Sequence, residues 1–132
     1  MAQAYVPIQT ITLTASSASV TFSNIPQTFT DLKLVMSSRN DAGTSANDGR
    51  VTFNGSSSGY SSKLLYGLGS GAPAGASNSG SYMYWAAVTD SNGLTASTFA
   101  NGEMYIPNYT SSNYKSVNFD GVTENNATYG SQ

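Results

Sequence analysis

Seven carboxylates and five Lys or Arg are all the charge this 132-residue chain carries, and it contains neither His nor Cys. Those absences remove thiol nucleophiles, disulfides, the usual zinc ligand sets and every His-based triad. The hydrolytic chemistry left is glycoside cleavage by two acids roughly 5 to 9 Å apart, for which Glu103 with Glu124, or Glu103 with Asp120, could supply the pair. Alternation instead places Glu103 on the outer face of its strand, while Asp120 and Glu124 flank turns, so the residues read as non-enzymatic and without a cofactor. Asp41 and Asp48, with Asn40 and Asn47, offer oxygens to calcium, but they lack the alternating acids and terminal Glu of a calcium loop. That stretch reads as a solvated turn held by Asx hydrogen bonds, with no metal. Asn54-Gly-Ser, Asn108-Tyr-Thr and Asn126-Ala-Thr satisfy the glycosylation triplet as chance matches in an Asn- and Thr-rich chain.

The aromatic set is more informative: one Trp and nine Tyr against five Phe. Tyr and Trp join apolar area to a polar tip, which suits both sugar stacking and protein interfaces. Tyr109 and Tyr114, in or beside the NYTSSNY turn, and Tyr60 and Tyr66, near a Gly-rich stretch, are the candidate contact residues; the competing reading has some of them capping the ends of a core. Tyr82, Tyr84 and Trp85 lie on a strand that is apolar on both faces, and Trp85 reads as core or subunit interface rather than as a sugar platform.

Positioning these side chains falls to strands. Leu32, Leu34 and Met36 alternate with Lys33, Val35 and Ser37, the period of two that marks a β-strand over Asp31 to Ser38, introduced by the Ile25-Pro26 turn. Upstream, Ile8 to Thr14 sets Ile11 and Leu13 against Thr10, Thr12 and Thr14. Ala18, Val20 and Phe22 start a second strand, and the two read as a hairpin around Ala15 to Ser17. Asn40 to Gly49 reads as a loop, Arg50 to Asn54 as a strand with Val51 and Phe53 inward, and Asn54-Gly55 as a tight turn. Tyr60 to Leu68 fits a strand or a short helical turn, the strand being preferred. Gly69 to Gly80, GSGAPAGASNSG, reads as a flexible Gly-, Ser- and Ala-rich loop, either a binding element or a mobile surface loop.

Ser81 to Thr89 is the most aromatic strand. Thr98 to Pro107 turns Met104 and Ile106 one way and Glu103 and Tyr105 the other. Lys115 to Asp120 places Val117 and Phe119 inward, and the end of the chain is polar coil. Seven or eight strands and no helical period fit one all-β domain over residues 1–132, an antiparallel β-sandwich of jelly-roll-like form.

Charged residues make up 9% of the chain, where roughly 25% is ordinary, and the net charge is −2. Ser, Thr, Asn and Gly carry the solubility. With 39% apolar residues the sequence is a folding one rather than a disordered one. No basic stripe exists for a phosphate backbone, which excludes nucleic acid as the expected partner. The longest apolar run is too short to span a bilayer, so no membrane is expected. MAQAYVPIQT lacks the basic start and apolar core of a signal peptide, and the chain is expected to be made and folded in a cytoplasm.

Three blocks, SVTFSNIPQTFTDLKLVMSSR, RVTFNGSSSGYSSKLLYG and EMYIPNYTSSNYKSVNFDGVTENNAT, occur in that order over about half the chain. Together they resemble a family of virion structural proteins of tailed phages, especially marine phages and cyanophages. The resemblance implies a β-rich virion module, made in the host cytoplasm, that decorates or cements a capsid or forms part of a head or tail fibre. It implies other phage virion proteins as partners, within a homo-oligomer or a larger assembly, and no catalytic residues. The alternative within that setting is a tail-fibre module that binds a host-surface receptor or glycan through exposed tyrosines. In the family pattern further apolar strands follow the NNAT block, whereas this sequence ends at Gln132. The expectation is a bare sheet edge beside the Lys115 to Asp120 strand, covered by a partner chain.

Overall fold

The structure is a computed structural model and describes residues 5–40, 47–67, 72, 74–90 and 95–122. Seven strands and no helix are found among them: β1 (Leu32–Asn40), β2 (Asn47–Val51), β3 (Tyr60–Tyr66), β4 (Ala74–Gly80), β5 (Met83–Asp90), β6 (Ala100–Ile106) and β7 (Asn118–Val122). The all-β expectation is met. One sheet runs β2-β5-β1-β6-β7, and β3 and β4 form a separate two-stranded ribbon.

Alternation in β1 and β6 builds the core. Leu32 lies opposite Ile106 and Leu34 opposite Met104, and Met104 lies opposite Phe119 of β7, giving apolar rows across three antiparallel strands. From β5, Met83 and Trp85 close on the same cluster, and Leu32, Leu34, Met36, Val51 and Phe53 pack around it. The buried apolar set among the described side chains is small: Met83, Trp85, Ala100, Met104 and Ile106.

Pairing departs from a wholly antiparallel arrangement at one place. β1 and β5 meet in parallel over just Arg39 with Thr89 and Asn40 with Asp90, so the rest of β5 is free to swing across the core instead of lying flat beside β1. On its other side β5 pairs antiparallel with β2, with a register shift between Asp48 and Gly49, an irregularity of the kind that bends an edge strand.

Three sequence readings are corrected. The Ile8 to Thr14 and Ala18 to Phe22 hairpin does not form: residues 5–31 contain no strand, and residues 8–22 enter no ladder among the described residues. Alternation states which face a strand would bury, but a strand exists only where a neighbour satisfies its backbone. The loop expected over Gly69 to Gly80 is strand β4 from Ala74 onward. Glycine suits position 75, because a Cβ there would come within 3.3 Å of the Leu64 carbonyl oxygen of β3. The loop expected over Asn40 to Gly49 gives way to strand at both ends, in Asn40 of β1 and in Asn47 to Gly49 of β2. Asp41 lies outside the described residues, as do Gly69 to Gly71, Pro73 and Glu124.

The Asn54-Gly55 turn forms as read. Both residues have positive φ, 52° and 69°, and the Ser56 N–H donates to the Phe53 carbonyl at 2.9 Å, the mirror-image turn that Asn-Gly favours. Of the stretch read over Tyr60 to Leu68, Tyr60–Tyr66 is strand β3, and Leu68 lies outside the described residues.

Candidate functional site

One corner of the molecule is built by the turn that follows β6. Asn108 takes the left-handed conformation at φ 48°, and its N–H donates to Asp31 Oδ1 at 2.8 Å. The Tyr105 hydroxyl donates to Asp31 Oδ2 at 2.7 Å, and the Tyr109 hydroxyl donates to the Pro26 carbonyl. Residues 26–31 are thereby latched to the β6 turn. Lys115 Nζ closes the following loop on the Ser111 carbonyl at 2.7 Å and the Asn113 carbonyl at 2.9 Å. Tyr114 stands beyond this latch, 99% exposed.

The latch has a pH signature. Accepting the Asn108 N–H and then the Tyr105 O–H holds the Asp31 carboxyl below its usual value, and the same bond holds the Tyr105 phenol above its own. A depressed folded-state pKa contributes stability above the unfolded-state value, about 3.9, that is lost as pH falls through the folded value. A raised one contributes stability below the unfolded-state value, about 10, that is lost as pH rises through the folded value. Thermal unfolding of the native chain and of Asp31→Ala should differ by a constant interval near neutrality. That interval should close in acid below about pH 4 and again above about pH 10.

A second cluster lies on β5 and its neighbours. Met83 and Trp85 face the core, which sends Tyr82 and Tyr84 the other way, where their rings meet edge-on at 5.7 Å. Arg50, the register partner of Tyr84, sets its guanidinium 4.4 Å from the centre of the Tyr82 ring, a cation–π distance. The Tyr84 N–H donates to Ser62 Oγ at 3.3 Å and ties β5 to the ribbon. On the ribbon an open trough of about 470 Å³ is lined by Ser61, Ser62, Lys63, Ser77 and Ser79. Hydroxyls, an ammonium and nearby aromatic rings can bind polyols; they supply no nucleophile with an adjacent base.

The sequence candidates therefore separate. Tyr60 is structural: its hydroxyl accepts the Phe53 N–H at 2.7 Å and its ring leans on Phe53. Trp85 is core, 1% exposed, with its indole N–H buried and without an acceptor. Tyr109 serves the latch, Tyr66 is half-buried at the end of β3, and Tyr82 and Tyr84 form the Arg50 cluster. Tyr114 alone among the seven is freely presented. The acid pair Glu103 and Asp120 are register partners on the outward face of β6 and β7, where Glu103 is held by Lys33 at 2.7 Å on an open sheet surface.

Arg39, Arg50, Asp31 and Lys33 were not singled out by sequence, although their scarcity was a signal. In a chain so poor in charge, each of these four serves a specific contact.

Residues 5–20 present a third feature. Tyr5 lies over Lys33, ring centre to Nζ 5.5 Å. Beyond it every residue to Val20 is exposed, including Val6, Ile8, Ile11, Leu13 and Val20. The first charged residue of the chain is Asp31.

Fold and surface together define an all-β chain with an uncharged apolar arm and a polar-aromatic face. Comparison with known proteins found no family model that matches the chain, no matching curated protein and no matching solved structure.

Proposed function

We propose that the chain is a non-enzymatic structural subunit of a tailed-phage virion. In this reading it docks on other virion proteins as a capsid decoration or cement, or as a component of a head or tail fibre. The observation that carries the reading is the exposed apolar stretch within a segment, residues 1–30, that has no charged side chain. Such a surface joins neighbours without desolvating ions, and natural monomers seldom leave a contiguous surface of this kind uncovered. The resemblance of the three sequence blocks to tailed-phage structural proteins supplies the setting in this reading. The two strand layers around Trp85 are, in this reading, a jelly-roll-like sandwich whose remaining edge is filled on assembly. Particles purified from a phage encoding the chain should contain it in fixed stoichiometry, and particles lacking it should release their DNA at lower temperature. Its absence from particles would overturn the reading.

A second reading, a host-glycan module of a tail fibre, draws on the Arg50–Tyr82–Tyr84 cluster beside the serine-lined trough and on exposed Tyr114. A glycan array probed with the isolated chain tests it. Binding that falls at least tenfold in Tyr82→Ala or Tyr114→Ala would favour this reading over the first. Tyr109→Ala is a poor probe, because it also unlatches Pro26.

A further inference from the structure

We infer that the trough on the β3–β4 ribbon takes a carboxylated sugar, with Lys63 meeting the carboxylate and the serines around it meeting ring hydroxyls. The inference rests on the glycan reading above and names the class of sugar that such a module would take.

Register builds the site. Ser61 pairs with Ser79 and Lys63 with Ser77, and directly opposed residues of two antiparallel strands share a face. Alternation along β3 leaves Ser61 and Lys63 exposed while Tyr60, Ser62 and Leu64 are half-buried, so the shared face is the outer one. Three hydroxyls and one ammonium therefore rise from the corners of a rectangle, about 4.8 Å between strands and about 6.8 Å along them. One pyranose ring with its carboxylate spans such a rectangle. Ser62 lines the side of the trough toward β5, where its Oγ accepts the Tyr84 N–H at 3.3 Å.

Size and an apolar flank favour a sugar over a bare anion. The trough holds about 470 Å³, within the range of small-molecule sites and well beyond what an inorganic ion fills. Past Lys63 the same face continues into Leu65, 82% exposed, opposite Gly75. With no side chain across from it, Leu65 leaves an apolar step on which the C–H face of a neighbouring sugar unit can lie.

Charge selects an acidic sugar. The chain has five Lys and Arg, and four are engaged within the fold. Lys33 pairs with Glu103, Arg39 donates to the Thr95 and Thr98 carbonyls, Arg50 lies over the Tyr82 ring, and Lys115 donates to the Ser111 and Asn113 carbonyls. Lys63 meets no carboxylate among the described residues. In a chain of net charge −2 it is the cation left to a ligand, and it stands among hydroxyls that can accept from and donate to the same molecule.

The test titrates the full chain with tetragalacturonate and with its methyl ester, which keeps every ring and removes the charge. Calorimetry at low salt should show the acid binding about tenfold tighter than the ester, the share of a hydrogen bond from a charged donor. Lys63→Met should weaken the acid by about the same factor and leave the ester unchanged. Its circular dichroism should match that of the native chain, because the side chain is exposed. Lys63→Arg keeps the charge and should retain most of the affinity. Lys33→Met removes an equal charge from β1, outside the trough, and should bind as the native chain does. Equal affinity of the native chain for acid and ester overturns the proposal, whatever the variants do. So does a Lys63→Met chain that holds the acid as tightly as the native one, or an equal loss in Lys33→Met. Neutral glycans bound in preference to the acid overturn it and leave the glycan reading in place, whereas a native chain that binds neither the acid nor any glycan on the array removes both.

Discussion

Trp85→Ala should cost about 3 to 5 kcal/mol and leave the chain largely unfolded at 37 °C, the range for removing a large aromatic side chain from a packed core. The expected loss is a large share of the roughly 5 to 15 kcal/mol that stabilises a domain. Little else can compensate, because Trp85 and Met104 are the largest fully buried side chains in the described structure. The void would open between β5 and the Leu34–Met104–Phe119 row. β5 is tied to β1 by only two residue pairs, so its collapse into the void would strain that junction. Trp85→Phe separates volume from polarity. It removes a buried indole N–H that has no acceptor, relieving a desolvation cost of about 1 to 3 kcal/mol, while giving up part of the ring volume. Urea unfolding should place its loss below half that of Trp85→Ala, and equal losses would mean that the indole N–H is paired.

How far the sequence could be read follows from what each pattern encodes. In β1 and β6 the alternation named the inward residues correctly, Leu32, Leu34 and Met36 against Met104 and Ile106, because each strand has a core on one face and polar surroundings on the other. Asn54-Gly55 was legible since a backbone with two successive positive φ values restricts its residues sharply. Ile8 to Thr14 shows the limit: its pattern equals that of β1, and what differs is whether a partner strand lies beside it, a fact of tertiary or quaternary geometry. β4 fails in the opposite sense. Gly75 and its small neighbours carry no hydrophobic signal, yet they pair with β3 along all seven residues of each strand, and at Gly75 the Leu64 carbonyl oxygen leaves little room for a side chain.

The candidate surface was legible only as an inventory. Aromatic content marked Tyr82, Tyr84 and Trp85 as important, but their division into an outward Arg50 cluster and an inward core residue depends on which face of β5 meets Met104. Tyr109 and Tyr114, five residues apart in one turn region, look alike in sequence. A single acceptor, the Pro26 carbonyl, makes one a latch and leaves the other exposed. Contacts between residues more than seventy positions apart, such as Asp31 with Tyr105, leave no local trace.

Arg39→Met should destabilise the chain by about 2 kcal/mol, and the damage should begin at one end of β6. Arg39 Nη1 donates to the Thr98 carbonyl at 2.8 Å, to the Thr95 carbonyl at 3.0 Å and to Thr98 Oγ1 at 3.1 Å. Thr98 Oγ1 in turn donates to the Thr95 carbonyl at 2.7 Å, and Ser97 between them holds a strained φ of 64°. A cation that gathers three acceptors supplies the order this short turn lacks, and bonds to a charged donor contribute about 1.5 to 3 kcal/mol net. The group is only partly buried and one nitrogen makes all three contacts, which keeps the expected total near the lower end. Methionine preserves the aliphatic stem and removes the donor, so the apolar packing of the stem is not what changes. Amide exchange at residues 98–102 should quicken about 30-fold, at roughly 1.4 kcal/mol per factor of ten, while residues 104–106, deeper in the β1–β6 ladder, respond less. Arg39→Lys keeps the charge but presents a compact ammonium without the fixed fork, and its loss should fall between those of the native chain and Arg39→Met. Equal exchange at both ends of β6 would show that Arg39 supports the whole sheet and not the return of the chain into it.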